Sequence, residues 1–204
     1  MGLLSSSVSI TQYKVIGEIN GNLTTTITEG LKKFSITDID HEPVQKTVGW
    51  TCFESPYIPD FDKTACIIGT YFIFSLRIDK KSIPSKIIKK YYMAEIAKKL
   101  AESEREHLSR NEKKTIKDNV INFLSLRIPA SPNIYDILWN YEESFLWFFS
   151  NQKAANEELE TLFSKTFRLK LVRLFPYTMA DLSKTLTDKD RDLFNTISPI
   201  KFVD

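Results

Sequence analysis

Three residues in the first half of the chain match, by type and spacing, a metal site found in nucleases. Pro59-Asp60 followed by Asp79-Lys80-Lys81 fits the pattern PD…(D/E)xK. In that pattern two carboxylates hold a divalent metal ion and a lysine supports the water that attacks the phosphodiester. The pattern is short and degenerate, and Asp60 stands in a proline-rich stretch. A metal-dependent nuclease built on Asp60, Asp79 and Lys81 is therefore an alternative hypothesis, and we expect no catalytic residue.

Histidine chemistry is sparse, because the chain has only two histidines. His41 lies in the acidic stretch Asp38–Glu42, where the carboxylates of Asp38 and Asp40 could reach a hard cation. No further set of ligands accompanies them, so we expect a solvated acidic loop, no metal site and no bound cofactor. Phosphate-binding loops, nucleophile elbows and dinucleotide fingerprints are also absent from the sequence.

The strongest functional indication is the distribution of charge. Residues 77–127 carry 14 of the chain's 28 Lys and Arg but only seven of its 26 Asp and Glu. This segment is therefore +7, whereas the other 153 residues sum to −5. Positive charge that is concentrated in one region of a nearly neutral protein favours a polyanionic partner.

Two predicted helices carry this charge. One runs from Ser85 to about Glu106, and the second, for which Asn111 can serve as the cap, runs to about Leu124. Each helix has lysines in its first turns, namely Lys86, Lys89 and Lys90 in the first and Lys113, Lys114 and Lys117 in the second. Cations there oppose the helix dipole by ~0.3–1 kcal/mol each. An anionic partner whose phosphates they neutralise would explain them, and a solvated charged face is the other interpretation; the charge pattern alone leaves both open.

Two tyrosines stand next to these lysines. Tyr91 and Tyr92 could stack on nucleic-acid bases, but their helical spacing favours a place in the core. The sequence contains neither zinc-finger ligands nor an RNP-type aromatic motif. Any contact with nucleic acid is therefore predicted to involve the backbone and to be independent of sequence.

The remaining elements predict an α+β fold. Strands are predicted over 13–19, 47–53, 66–78, 134–141, 144–150 and 168–174, and helices over 23–34 and 153–167. The order is βαββ, then the basic helical pair, then ββαβ, which describes a mixed or antiparallel sheet with packed helices. We predict a sheet core of residues 1–79 and 128–176, a basic helical insertion over 80–127 and a helical tail over 177–204, in which Thr187 caps the second helix. No apolar run approaches the ~20 residues of a membrane span.

Several short motifs follow one another along the chain in a recognisable order. Gly49-Trp50 precedes Leu76-Arg77-Ile78 and Lys81-Ser82-Ile83-Pro84, and residues 111–120 read NEKKTIKDNV. Leu126-Arg127, Ile137-Leu138-Trp139 and a helix over 150–163 follow. None of these motifs is diagnostic alone, but their order and spacing across roughly residues 13–176 resemble the RdgC family of bacterial recombination-associated proteins.

This resemblance implies a DNA-binding protein. Family members form ring-shaped homodimers around duplex DNA, show little sequence preference and restrain the strand-exchange recombinase. The resemblance implies DNA contacts at Lys113, Lys114, Lys117 and Arg127, with Lys98 and Lys99 in addition. It also implies a cytoplasmic, nucleoid-associated protein whose partners are DNA, a second copy of the chain and a recombinase filament. Some descriptions call the family exonucleases, but none of its motifs that we can map here is catalytic.

The chain departs from the family pattern in two ways. The typical member is about half as long again, so the resemblance lacks the family's C-terminal third. If that third closes the ring, we expect an open dimer or a different role. In addition, Arg127-Ile128-Pro129-Ala130 stands where the family has PRAF, so an aromatic residue is missing. A protein-interaction module, in which the lysines only solvate the helices, is the remaining hypothesis.

Overall fold

The computed structural model describes residues 2–62, 67–103, 105–182 and 187–196. The predicted tail over 177–204 is therefore described only in part, because 183–186 and 197–204 lie outside these ranges. Cys66, where the third strand was predicted to begin, also lies outside the described residues.

Strands and helices follow one another in the predicted order, with one additional strand. The described elements are β1 (Thr11–Ile16), α1 (Leu23–Lys33), β2 (Lys46–Thr51), β3 (Ile67–Ile68), β4 (Tyr71–Lys80), α2 (Ser85–Ser103), α3 (Arg110–Ser125), β5 (Ser131–Asn140), β6 (Phe145–Phe148), α4 (Lys153–Phe167), β7 (Lys170–Arg173), α5 (Pro176–Asp181) and α6 (Asp188–Thr196).

The strands form one sheet in the order β2-β4-β5-β6-β1-β7, with β3 paired to β4. All of these strand pairs are antiparallel. The longest pair joins β4 to β5 and runs from Tyr71 opposite Asn140 to Lys80 opposite Ser131. The α+β prediction is confirmed, and the sheet is antiparallel rather than mixed.

One face of the sheet is covered by α1 and α4. Alternation along β4 turns Phe74 toward this face, where it is fully buried. Trp139 of β5 packs against Phe163 of α4 with ring centroids 5.1 Å apart. The indole of Trp50 donates a hydrogen bond to Thr166 Oγ1 at 2.8 Å, so a polar group in this core is satisfied. These contacts form the main hydrophobic core of the protein.

Two predicted strands differ from the structure at glycines. The single strand predicted over 66–78 is a hairpin, in which Gly69 adopts φ +62° between β3 and β4. The strand predicted over 13–19 ends at Ile16, where Gly17 adopts φ +118°. Positive φ angles suit glycine and break an extended strand, and the apolar pattern alone does not reveal them.

The helical pair, defined as α2 and α3, has a small apolar cluster of its own. Its buried members come from α3 and the residue before its cap, namely Leu108, Ile116, Val120 and Leu124. Partly buried residues of the linker and α2 pack against them: Ile83, Ile88, Tyr92, Ile96 and Leu100. Every residue of α2 remains at least partly exposed. The pair is therefore held together by one thin apolar seam.

Helix caps give one correction and one agreement. Ser109, not Asn111, caps α3, because its hydroxyl accepts from the backbone N–H of Glu112 while that carboxylate accepts from Ser109 N at 2.8 Å. This reciprocal arrangement is a capping box. Thr187 precedes α6 as predicted, and its hydroxyl accepts from Asp190 N at 3.3 Å.

Candidate nucleic-acid interface

The two helices of the pair run in opposite directions. Tyr91, near the start of α2, packs against Phe123, near the end of α3, with ring centroids 6.3 Å apart. At the other end, Lys99 acts electrostatically on Glu112 in the first turn of α3. The pair therefore presents two long surfaces, which flank the apolar seam.

Four cations share one side of α3. Arg110, Lys113, Lys114 and Lys117 follow the spacing i, i+3, i+4 and i+7, which places them on a single helical face. All four are exposed, and with Asn111 and Tyr92 they line an open concavity of about 550 Å³. We call these four residues the cationic stripe. Arg110 was not among the predicted site residues, although the same spacing rule applied to the sequence would have included it.

The structure places all nine predicted DNA-binding residues at the surface. Those residues are Lys86, Lys89, Lys90, Lys98, Lys99, Lys113, Lys114, Lys117 and Arg127. Within the described residues, Lys98 is the one of the nine in an ion pair, with Glu102 at 4.0 Å. Three of the nine gather on the cationic stripe. The lysines at the start of α2 lie at the opposite end of the pair, beside the end of α3.

Arg127 lies just beyond the end of α3 and contacts an aromatic ring. Its guanidinium carbon is 3.9 Å from the centroid of the Phe123 ring, which is the geometry of a cation–π contact. Lys90 approaches the ring of Tyr91 in a similar way, at 5.9 Å. A cation thus lies beside each of the two packed rings at this end of the pair.

A second concavity lies on the other side of the seam. Tyr91, Glu95 and Lys99 of α2 and Asn119 and Phe123 of α3 line an open groove of about 260 Å³, with Ile116 and Val120 at its floor. We call it the side groove. Tyr92 packs into the apolar seam as predicted. Tyr91 is 37% exposed and Phe123 is 41% exposed, so the expectation that Tyr91 belongs to the core is wrong.

Electrostatics at the start of α3 favour a charged carboxylate. Hydrogen bonds from the Ser109 backbone and hydroxyl, followed by the charges of Arg105 and Lys99, hold the pKa of Glu112 below its usual value. The charged form of Glu112 offsets part of the dipole penalty that the stripe imposes on this helix terminus.

The predicted nuclease residues do not assemble into a metal site. Asp79 is 2% exposed, and both of its carboxylate oxygens accept from the guanidinium of Arg77 at 2.7 Å. Lys81 is 4% exposed, and its ammonium donates to the carbonyls of Asp40 (3.0 Å), Glu42 (2.9 Å) and Ser125 (2.5 Å). Across the described ranges, no group of three or more His, Cys, Asp or Glu could hold a metal ion.

The acidic stretch Asp38–Glu42 has a structural role that the sequence did not indicate. Two of its carbonyls accept from Lys81, and Asp40 Oδ1 accepts from Ala130 N at 2.7 Å. Lys81 also binds the carbonyl of Ser125 at the end of α3. The stretch therefore joins both connections of the helical pair to the sheet through its backbone and Asp40, while the side chains of Asp38, His41 and Glu42 remain exposed to solvent, as predicted.

The sequence also matches a known protein family. The sequence model described as "Putative exonuclease, RdgC" matches residues 9–188, which is most of the chain. The chain belongs to the RdgC family. This match confirms the resemblance seen in the motifs and identifies a recombination-associated protein of a bacterial family. No curated protein matches the chain.

The motifs that carry the RdgC resemblance are largely structural in this chain. A Cβ on Gly49 would lie 2.5 Å from the backbone of Ile36, so only glycine fits this close approach. Trp50 is fully buried in the core, while Arg77 and Lys81 are engaged as described above. The matched region includes the whole helical pair. In the described part of the chain, no helix has the length and apolar character needed to cross a bilayer.

Proposed function

We propose that this RdgC-family chain binds DNA without sequence preference, through the exposed cations of its helical pair. The observation that carries the proposal is the cationic stripe Arg110, Lys113, Lys114 and Lys117. In the described residues, none of these four side chains is in an ion pair, so their charges are available to phosphates. Each neutralised phosphate releases counterions and favours binding.

The position of the stripe also supports phosphate contact over readout of bases. Lysine and arginine side chains along one helical face can follow a phosphate backbone, which carries no direct sequence information. The lysines that begin α2 and Arg127 extend the positive surface toward the other end of the pair. The binding free energy should therefore depend strongly on salt and weakly on sequence.

Salt-dependent binding to duplex DNA tests this proposal. We expect a linear fall of log affinity with log salt, and a slope that decreases in magnitude by about 0.9 for each contact removed. The variant with Lys113, Lys114 and Lys117 all changed to Gln should lose about 2.7 from that slope. The control changes Lys153, Lys165 and Lys170 to Gln; all three are exposed and lie outside the pair.

The two triple variants remove equal charge, so their difference isolates position. Equal losses of affinity would mean that only net charge matters and that the helical pair is not the interface. Absence of binding by the unmodified protein at about 50 mM salt would overturn the proposal, and would leave a protein-interaction module as the function of the pair.

The name of the family makes DNA cleavage worth measuring. Asp79 is paired with Arg77, and the ammonium of Lys81 donates to three backbone carbonyls. We therefore propose no catalytic step at these residues. Labelled duplex and single-stranded DNA incubated with Mg²⁺ or Mn²⁺ should remain intact. Cleavage that is lost in Asp79→Asn, in a protein that still folds, would reverse this assignment.

We propose that the chain acts as a homodimer on DNA in the cytoplasm, at the nucleoid, and limits access of a strand-exchange recombinase. A protein that covers phosphates without sequence preference competes with a filament for the same backbone. Strand exchange by a recombinase should slow as the chain is added, and the triple Gln variant should restore its rate. Sedimentation of the free chain should give the mass of two copies.

A further inference from the structure

The side groove differs in character from the cationic stripe on the opposite side of the pair. The packed rings of Tyr91 and Phe123 form an aromatic surface at one end of it, and its floor is apolar. Ile87 and Leu126, both substantially exposed, belong to the same end of the helices. A volume of about 260 Å³ lies just below the ~300–1,000 Å³ of pockets for drug-sized ligands. The groove therefore suits a single flat ring system.

The polar groups of the side groove are of the kinds that form hydrogen bonds with the edge of a nucleic-acid base. Asn119 offers an amide donor and acceptor, and Glu95 offers acceptor oxygens. Among the described residues, neither side chain makes a hydrogen bond, so both are available to a ligand. A carboxylate in the groove repels a phosphate but accepts from the amino groups of bases. The groove thus favours a base over a phosphate.

Cationic side chains surround the side groove. Arg127 covers one face of the Phe123 ring, Lys90 approaches Tyr91, and Lys99 lines the rim. Guanidinium planes stack on bases as well as on aromatic rings. A ligand with a flat apolar ring and adjoining negative charges satisfies the rings, the polar groups and the cations together. An unpaired nucleotide has this combination.

We infer that the side groove binds an unpaired base of single-stranded DNA, with Tyr91 and Phe123 as its stacking surfaces. The inference rests on the proposed DNA binding and extends it, because the stripe contacts phosphates of either a duplex or a single strand. The two sides of the pair then have separate tasks. The stripe supplies affinity that depends on salt, and the side groove supplies preference for unstacked bases.

Three probes of equal backbone charge test the inference by fluorescence anisotropy. They are a single strand of about 20 nucleotides, the same strand built from abasic nucleotides, and a duplex with the same number of phosphates. We expect the base-bearing strand to bind about tenfold more tightly than the abasic strand, which is the size of one base–aromatic stack. Phe123→Ala and Tyr91→Leu should each remove most of this preference and leave affinity for the abasic strand unchanged.

A matched control lies on the other side of the pair. Lys114→Gln should weaken binding to all three probes alike and preserve the ratio between base-bearing and abasic strands. Tyr91→Leu keeps apolar volume at a partly exposed position, so it remains informative if Phe123→Ala destabilises the pair. Circular dichroism confirms that each variant folds.

The outcomes separate the two proposals. Equal affinity of the unmodified protein for base-bearing and abasic strands overturns the base site while leaving phosphate binding intact, and it would assign the groove to a protein partner instead. Parallel losses on both strands in Tyr91→Leu also overturn the base site, because the residue would then be purely structural. Failure to bind any of the three probes at low salt removes both proposals.

Discussion

The sheet core and the helical pair of this RdgC-family chain use similar apolar residues but bury them very differently. In the core, Trp50, Trp139 and Phe163 are fully buried between a seven-stranded sheet and two helices. In the pair, α2 contributes no fully buried side chain to the seam. Hydrophobic stabilisation scales with the apolar area removed from water. The core therefore supplies most of the stability, whereas the pair leaves most of its surface exposed to solvent.

Charge follows the same division. The pair and its flanking residues hold half of the cations of the chain, while the sheet and its helices carry a net negative charge. A structure that needed only to be stable would put acids at the starts of these helices. The cost in helix stability is small compared with the gain from releasing counterions at a phosphate backbone. The division between a buried scaffold and an exposed charged pair can be tested residue by residue.

Truncation of apolar residues should give the largest difference between the two regions. We expect Phe163→Ala to lower the free energy of unfolding of the core by about 3–5 kcal/mol, because it leaves a cavity. Leu124→Ala should cost about 2 kcal/mol, near the lower limit for such truncations, and only within the pair.

Tryptophan fluorescence measures the unfolding of the sheet core in both variants. All three tryptophans, Trp50, Trp139 and Trp147, lie in sheet strands. Their urea midpoint should fall in Phe163→Ala and stay unchanged in Leu124→Ala, while hydrogen exchange in α2 and α3 accelerates in the latter. A fall in the tryptophan midpoint of Leu124→Ala would show that the two regions unfold as one.

Lys81 joins the two regions, and its removal should have the next largest effect. Lys81→Met leaves the carbonyls of Asp40, Glu42 and Ser125 without their charged donor. Unsatisfied buried acceptors cost about 1–3 kcal/mol, and the end of α3 should exchange its amide protons faster. Its exposed neighbour provides the control, since Lys80→Met should change stability by less than about 0.5 kcal/mol. Equal effects of the two variants would contradict the role of Lys81.

The start of α3 provides a smaller test within the pair. Ser109→Ala removes the cap and should destabilise the helix by about 1 kcal/mol. Asn111→Ala should change helix stability by less than about 0.5 kcal/mol, because Asn111 is not the cap. Thermal unfolding followed by far-ultraviolet circular dichroism compares the two. A larger effect of Asn111→Ala would restore the cap that the sequence suggested.

Acid should weaken the helical pair slightly, through protonation of Glu112. The pKa of Glu112 is lowered in the folded state by hydrogen bonds from Ser109. Its stabilisation is therefore complete above pH 4.5, its ordinary value, and is lost as pH falls through the lower folded value. The helical signal of the native protein should weaken in that range, and Glu112→Gln should reduce this pH dependence. An unchanged dependence in Glu112→Gln would assign it to other carboxylates.

Much of this division could be predicted from the sequence, because it rests on local patterns. The predicted range of α4, 153–167, matches the structure, since its apolar spacing is regular. The charge of the pair was visible in the distribution of Lys and Arg along the sequence. The capping box of Ser109 and Glu112 was also visible as S-x-x-E, although Asn111 was chosen.

What the sequence did not reveal depends on contacts between distant segments. The burial of Lys81 needs carbonyls from positions 40, 42 and 125, which no local pattern brings together. Pairing of Asp79 with Arg77, two residues earlier on the same face of β4, could have been read from strand alternation. The side groove exists only because Tyr91 and Phe123 meet across two helices, and helical spacing alone favoured a buried Tyr91.

Hydrogen exchange of the chain with and without duplex DNA measures the central claim most directly. We predict slower exchange of amides in α2 and α3, between Ser85 and Ser125, and unchanged exchange in strands β4 to β6 of the core. The triple Gln variant at Lys113, Lys114 and Lys117 should lose this protection under the same conditions. Protection confined to the sheet strands, with both helices unchanged, would contradict the assignment of the helical pair as the DNA-binding surface.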